Sequence, residues 1–170
     1  IAGSGGALAF KGSDSSELKA RLTLSETSPS RSADRAARAL VKLAMRPELF
    51  QFLCWGGDMG ETNFAATDLH FKTLGHPQNT PSSAADTQAA VETMLNWGAR
   101  IILFAGGDGT ARDIYDQVAD RVPVLGIPAG VKMQSGVFAV SPESAAELLV
   151  HLASGGLVDL SPREVRDIDE

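Results

Sequence analysis

Ile101-Ile102-Leu103-Phe104-Ala105-Gly106-Gly107-Asp108-Gly109-Thr110-Ala111-Arg112-Asp113 is the stretch that decides the fold. Five consecutive apolar residues predict a strand buried on both faces, as in parallel sheets covered by helices. Two glycines then turn the chain, and a helical pattern starts at once. In open α/β sheets the loop at the carboxyl end of such a strand is where ligands bind.

The same alternation extends to both sides. Upstream, Gly98 ends a helix predicted from about Ala84 to Trp97, with Ser83 and Asp86 as its cap. Before it come a strand over Asp68–Leu74 closed by Gly75-His76-Pro77, a short helical turn over 58–66, and a buried strand over Phe50–Cys54. The first helix is predicted from Ser32 to Met45, with Ala33, Ala36, Leu40, Leu43 and Ala44 inward and Pro47 as its stop. Downstream, the central helix runs to about Ala119. A strand over Val122–Ile127, a loop over Pro128–Gly136 and a short strand over Val137–Val140 follow. Pro142–Ala153 predicts an amphipathic helix with Ala145, Leu148, Leu149 and Leu152 inward, ended by Gly155-Gly156. The expected fold is α/β, doubly wound around a mainly parallel, Rossmann-like sheet.

Residues 1–160 are expected to form the nucleotide-binding domain, and 161–170 the start of a linker to a second domain. The chain opens without Met, and Ala2-Gly3-Ser4-Gly5-Gly6 implies a strand just before Ile1. Both ends are therefore expected to be cut. Loss of an interior strand would expose unpaired backbone, so 1–170 alone is expected to be inactive, and unstable or propped by other chains in a homo-oligomer.

Composition narrows the function. Of 170 residues, 44% are hydrophobic and 21% charged, the balance of a soluble globular protein. Aromatics are only 6%, so small and branched aliphatics are expected to fill the core. The formal net charge is −6, and the scattered Lys and Arg form neither the basic stripe of a nucleic-acid binder nor a polybasic membrane patch. No run approaches a membrane span. The single cysteine, Cys54, reads as a small core hydrophobe. A cytoplasmic setting is expected.

Chemistry centres on the glycine loop. Glycine lets backbone N–H groups approach phosphate oxygens closely, and a helix N-terminus adds free donors and partial positive charge. Asp108 repels phosphate, so its presence points to a proton acceptor for a hydroxyl nucleophile or a holder of Mg²⁺. The plain alternative is a tight turn in which Asp108 caps the helix. Gly3 and Gly5 give a second glycine-rich segment, either phosphate-facing or a simple turn; as a dinucleotide fingerprint it fails at Leu8. Lys132, in the second loop, could neutralise a transferring phosphoryl group or be a surface lysine, and Ser135 is a weaker candidate of the same kind. Thr80, Ser83, Asp86 and Thr87 favour capping over nucleotide contact. His70, His76 and His151 lack metal-ligand spacing.

Gly106-Gly107-Asp108-Gly109-Thr110 is similar to the signature of the superfamily that joins NAD kinases, diacylglycerol kinases and 6-phosphofructokinases. With Pro123-Val124-Leu125-Gly126-Ile127-Pro128-Ala129-Gly130-Val131-Lys132-Met133, Ser135-Gly136-Val137-Phe138-Ala139 and Asp167-Ile168-Asp169-Glu170, the chain resembles the divergent ATP-NAD kinase-like branch that includes acetoin-catabolism protein X. The resemblance implies phosphoryl transfer from ATP or polyphosphate, with Mg²⁺, to the 2′-hydroxyl of NAD, giving NADP. Asp108 would be the base, while Gly106, Gly107, Gly109 and Thr110 would cradle phosphates. It also implies a following β-rich domain that closes the site. The Asn-Glu pair of NAD kinases has no counterpart after the loop, which leaves another small alcohol or lipid as acceptor, or a non-catalytic nucleotide sensor, as the alternatives.

Overall fold

The computed structural model describes residues 31–130, 133–156 and 161–165. Along the chain lie α1 (Arg31–Leu43), β1 (Phe52–Cys54), α2 (Glu61–Ala65), β2 (Phe71–Thr73), α3 (Ala84–Asn96), β3 (Ile102–Gly106), α4 (Asp108–Val118), β4 (Val124–Pro128) and α5 (Pro142–Ala153). Short 3₁₀ turns occupy Pro47–Leu49 and Gly57–Met59.

Among the described residues all strand pairing is parallel. β1 pairs with β2, setting Phe52 opposite Phe71 and Cys54 opposite Thr73. β3 pairs with β4 from Ile102 opposite Val124 to Gly106 opposite Pro128. The expected single sheet is present as two ladders, which no described residue bridges. They nevertheless feed the same two cores. Phe52, Cys54, Ile101, Leu103, Ala105, Leu125 and Ile127 enter one core with α1 and α5. Their neighbours Leu53, Trp55, Ile102, Phe104 and Val124 enter the other with α3 and α4. Successive strand residues point to opposite faces, so helices cover both sides and the fold is doubly wound.

Local signals explain the helix ends. α3 carries a full capping box between Ser83 and Asp86, and α5 one between Ser141 and Ser144. Gly98 at φ 84° and Gly155 at φ 81° supply the left-handed stops. α1 ends at Leu43, two residues short of the expected Met45 and four before Pro47. It buries Ser32, Ala39, Leu40 and Leu43, and truncating fully buried Leu43 to Ala would cost about 2–5 kcal/mol.

The structure departs from the sequence reading elsewhere as well. On α5 the buried stripe is Pro142, Ala145, Ala146 and Leu149, whereas Leu148 is 38% exposed. The i, i+3, i+4, i+7 spacing from Pro142 selects that stripe and turns Leu148 aside. Residues 137–140 form no strand; Phe138 makes one parallel bridge to Gly126. Aromatics also carry more packing than their number suggests. Phe50, Phe52, Phe64 and Phe71 form a chain with ring centroids 5.4, 5.1 and 5.3 Å apart. No helix among the described residues is long and apolar enough to cross a membrane.

Candidate functional site

β3 delivers Gly106 and Gly107 to its carboxyl end, and α4 begins at Asp108. The first helical bond runs from the Ala111 amide to the Gly107 carbonyl at 3.0 Å. The amides of Asp108, Gly109 and Thr110 therefore have no acceptor within the helix. No side chain caps this end, in contrast to α3 and α5. Three donors and the positive end of an eleven-residue helix thus converge at the edge of β3.

The glycines divide by what their missing Cβ would meet. At Gly106 it would stand 2.7 Å from Thr110 Oγ1, because the threonine side chain folds back over the turn. At Gly107 it would meet the Gly130 Cα at 3.3 Å, where the loops after β3 and β4 touch backbone to backbone. Packing demands glycine at Gly106, and at Gly107 a side chain would require the facing Gly130 backbone to give way. Gly109 differs. It is exposed, its φ lies outside the left-handed region, and an added Cβ would meet nothing within 4 Å. Among the described glycines near open space, Gly57, Gly98 and Gly155 are explained by positive φ; Gly109 is not. In a helix, glycine costs roughly 0.5–1 kcal/mol relative to alanine, and nothing in the fold offsets that at 109.

Asp108 is not the helix cap that its position suggested. Its carboxylate reaches across to the second loop, with Oδ2 accepting the Gln134 amide at 2.8 Å and Oδ1 the Ser135 amide at 3.0 Å. The Gly106 carbonyl accepts the Ala129 amide at 2.9 Å and the Gly130 amide at 3.2 Å. Ala129, Gly130, Gln134 and Ser135 are thus all tied to the glycine loop. Asp108 is only 9% exposed. Both of its oxygens are engaged by amides, and a carboxylate with about four lone-pair sites can accept further hydrogen bonds.

Ser135 is buried beside Asp108. Lys132, Gly3 and Gly5 lie outside the described residues. Two further positions matter that the sequence reading left without a role. Gly130 makes the close approach to Gly107, and Gly136 lies under the Arg163 side chain, with its added Cβ 2.9 Å from the arginine Cβ. Both stand within the motifs that carry the resemblance, but nothing in the sequence signals these contacts.

At the ends of β1 and β2, the glycines serve structure. Gly56 lies under the His76 ring and Gly75 under Trp55, while Gly57 and Gly60 have positive φ. Glu61 accepts the Gly57 amide at 2.9 Å and the Thr73 hydroxyl at 2.9 Å, and these bonds hold its carboxyl below the usual range. Cys54 is buried against Thr73, and burial pushes its thiol up. Asp86 accepts the Gln78 and Ser83 amides and the Ser83 hydroxyl. Burial works to raise its pKa, but these three bonds outweigh it, and the carboxyl lies below its ordinary value. Ser83, Asp86 and Thr87 are thereby occupied in starting α3. His70, His76 and His151 are exposed.

A family model described as the ATP-NAD kinase N-terminal domain matches residues 18–157, most of the chain and all of this site. No curated protein and no solved structure matches.

Proposed function

The chain belongs to the ATP-NAD kinase family, and from that premise we propose that its glycine loop receives the phosphates of ATP or polyphosphate for transfer to the 2′-hydroxyl of NAD. The observation that carries the reading is Gly109, a glycine with no conformational or packing need, set among three free amides at a helix N-terminus. A side chain there would tilt toward the helix N-terminus, into the space that phosphate oxygens need to reach those donors.

Asp108 then accepts the proton of the attacking hydroxyl as its oxygen bonds to the terminal phosphorus and the bond to the leaving phosphate breaks. The Gln134 and Ser135 amides hold the carboxylate in place for that step. Among the described residues, no group of three or more His, Cys, Asp or Glu could hold a metal ion. Mg²⁺ therefore fits best as a companion of the donor's phosphates, the usual way this ion binds, where it would offset their charge. A β-rich second domain, joined through the segment 161–170, is part of the same proposal.

A non-catalytic nucleotide sensor is the second reading. It draws on the same two amide bonds, which engage both oxygens of Asp108. Incubating the full chain with NAD, ATP and Mg²⁺ separates the two. NADP formation supports transfer, whereas ATP binding without product from NAD or other alcohols supports the sensor.

A further inference from the structure

Gly136 follows Ser135, whose amide holds Asp108, and another side chain lies across it. A Cβ at 136 would stand 2.9 Å from the Cβ of Arg163, 3.2 Å from its Cγ and 3.3 Å from its Cδ. The Gly136 amide donates to the Glu164 carbonyl at 3.0 Å, and Val165 packs against the core shared by α3 and α4. Residues 161–165 are therefore a strap drawn back onto the second loop. The strap fixes the stem of Arg163 one residue beyond the amides that hold Asp108.

Three other arginines end on carboxylates: Arg38 on Glu143, Arg46 on Glu48 and Arg121 on Glu92. Arg163 is exposed, and among the described residues its guanidinium has no hydrogen-bond or ion-pair partner. In a chain of net charge −6, a cation held beside the loop without a carboxylate suits an incoming anion. A guanidinium matches phosphate geometry in particular, because its planar fork donates two bonds at once.

We propose that Arg163 is a phosphate-contacting residue of this site, reaching from over Gly136 to the phosphates that the α4 amides receive. This rests on the phosphate-binding reading of the Gly109 loop. Calorimetry on the full chain, with inorganic tripolyphosphate and with ATP in parallel, tests it. Arg163→Met keeps an unbranched stem over Gly136 and removes the charge. It is expected to weaken both ligands about tenfold or more at low salt, with the gap closing as salt is raised. Arg163→Lys should recover part of the loss, and Arg163→Gln repeats the test should the Met variant melt early. Uncharged variants that bind both ligands like the wild type overturn the inference and leave the loop reading standing. A loss confined to ATP overturns it as well, because it places Arg163 on the base or ribose. Absence of binding by the wild type overturns both.

Discussion

Replacing Gly109 by alanine should move stability and ligand binding in opposite directions. The new methyl group meets no atom within 4 Å, and the position is helical with no positive φ. Gly→Ala at such a site stabilises by roughly 0.5–1 kcal/mol, mainly by narrowing the unfolded ensemble. For a chain of this size that raises the melting temperature by about 1–4 °C. The same methyl group stands where phosphate oxygens would approach the Asp108, Gly109 and Thr110 amides. Hydrogen bonds to charged groups are worth about 1.5–3 kcal/mol each, so losing one weakens ATP roughly 10- to 100-fold. Scanning calorimetry and ATP titration on the same two proteins provide the assay. A stabilised variant that binds ATP as tightly as the wild type would refute the reasoning. A destabilised variant would show that Gly109 serves the fold after all.

Gly106→Ala should instead destabilise by about 1–3 kcal/mol, because its Cβ would press on Thr110 Oγ1 at 2.7 Å; denaturant unfolding reads this directly. Asp108→Asn should cut turnover about 10²–10⁴-fold, measured as initial rates with saturating nucleotide. It should also loosen the backbone at Gln134 and Ser135 and lower the melting temperature, since one oxygen that accepts Gln134 or Ser135 becomes an N–H₂ facing a donor. Asp86→Asn should cost roughly 1–3 kcal/mol by weakening the α3 cap and the Gln78 tie. The folded-state pKa of Asp86 lies below its unfolded value. Its contribution is therefore complete above about pH 4 and lost as pH falls through the lower folded value, so the gap between wild type and variant in urea midpoints should close in acid.

What the sequence showed depended on how local the signal was. The run Ile101–Ala105, the Ser83 and Asp86 cap and the stops at Gly98 and Gly155 act within a few residues of themselves; the cap and stops stand in the structure, and the run forms β3 shifted by one residue to Ile102–Gly106. The stripe on α5 needed a phase that Ser141 and Pro142 set, and so Leu148 was placed inward when it faces out. β2 is only Phe71–Thr73, because a strand's length depends on its partner, here three residues of β1. At the site, the loop and its helix were legible, but the meeting of Asp108 with Gln134 and Ser135 was not. That contact spans 26 and 27 residues and exists only once β3 and β4 lie side by side. The distinction between glycines that fill a packing or backbone need and Gly109, which fills neither, also required the folded chain.

The central claim is that phosphate oxygens dock on the free amides where α4 begins, and an amide-resolved NMR titration of the full chain with ATP and Mg²⁺ measures this most directly. The largest shifts should fall on Asp108, Gly109 and Thr110, with Gln134 and Ser135 following through their bonds to Asp108. Saturable binding that leaves those three amides unmoved, with the shifts gathered elsewhere on the chain, would contradict the account.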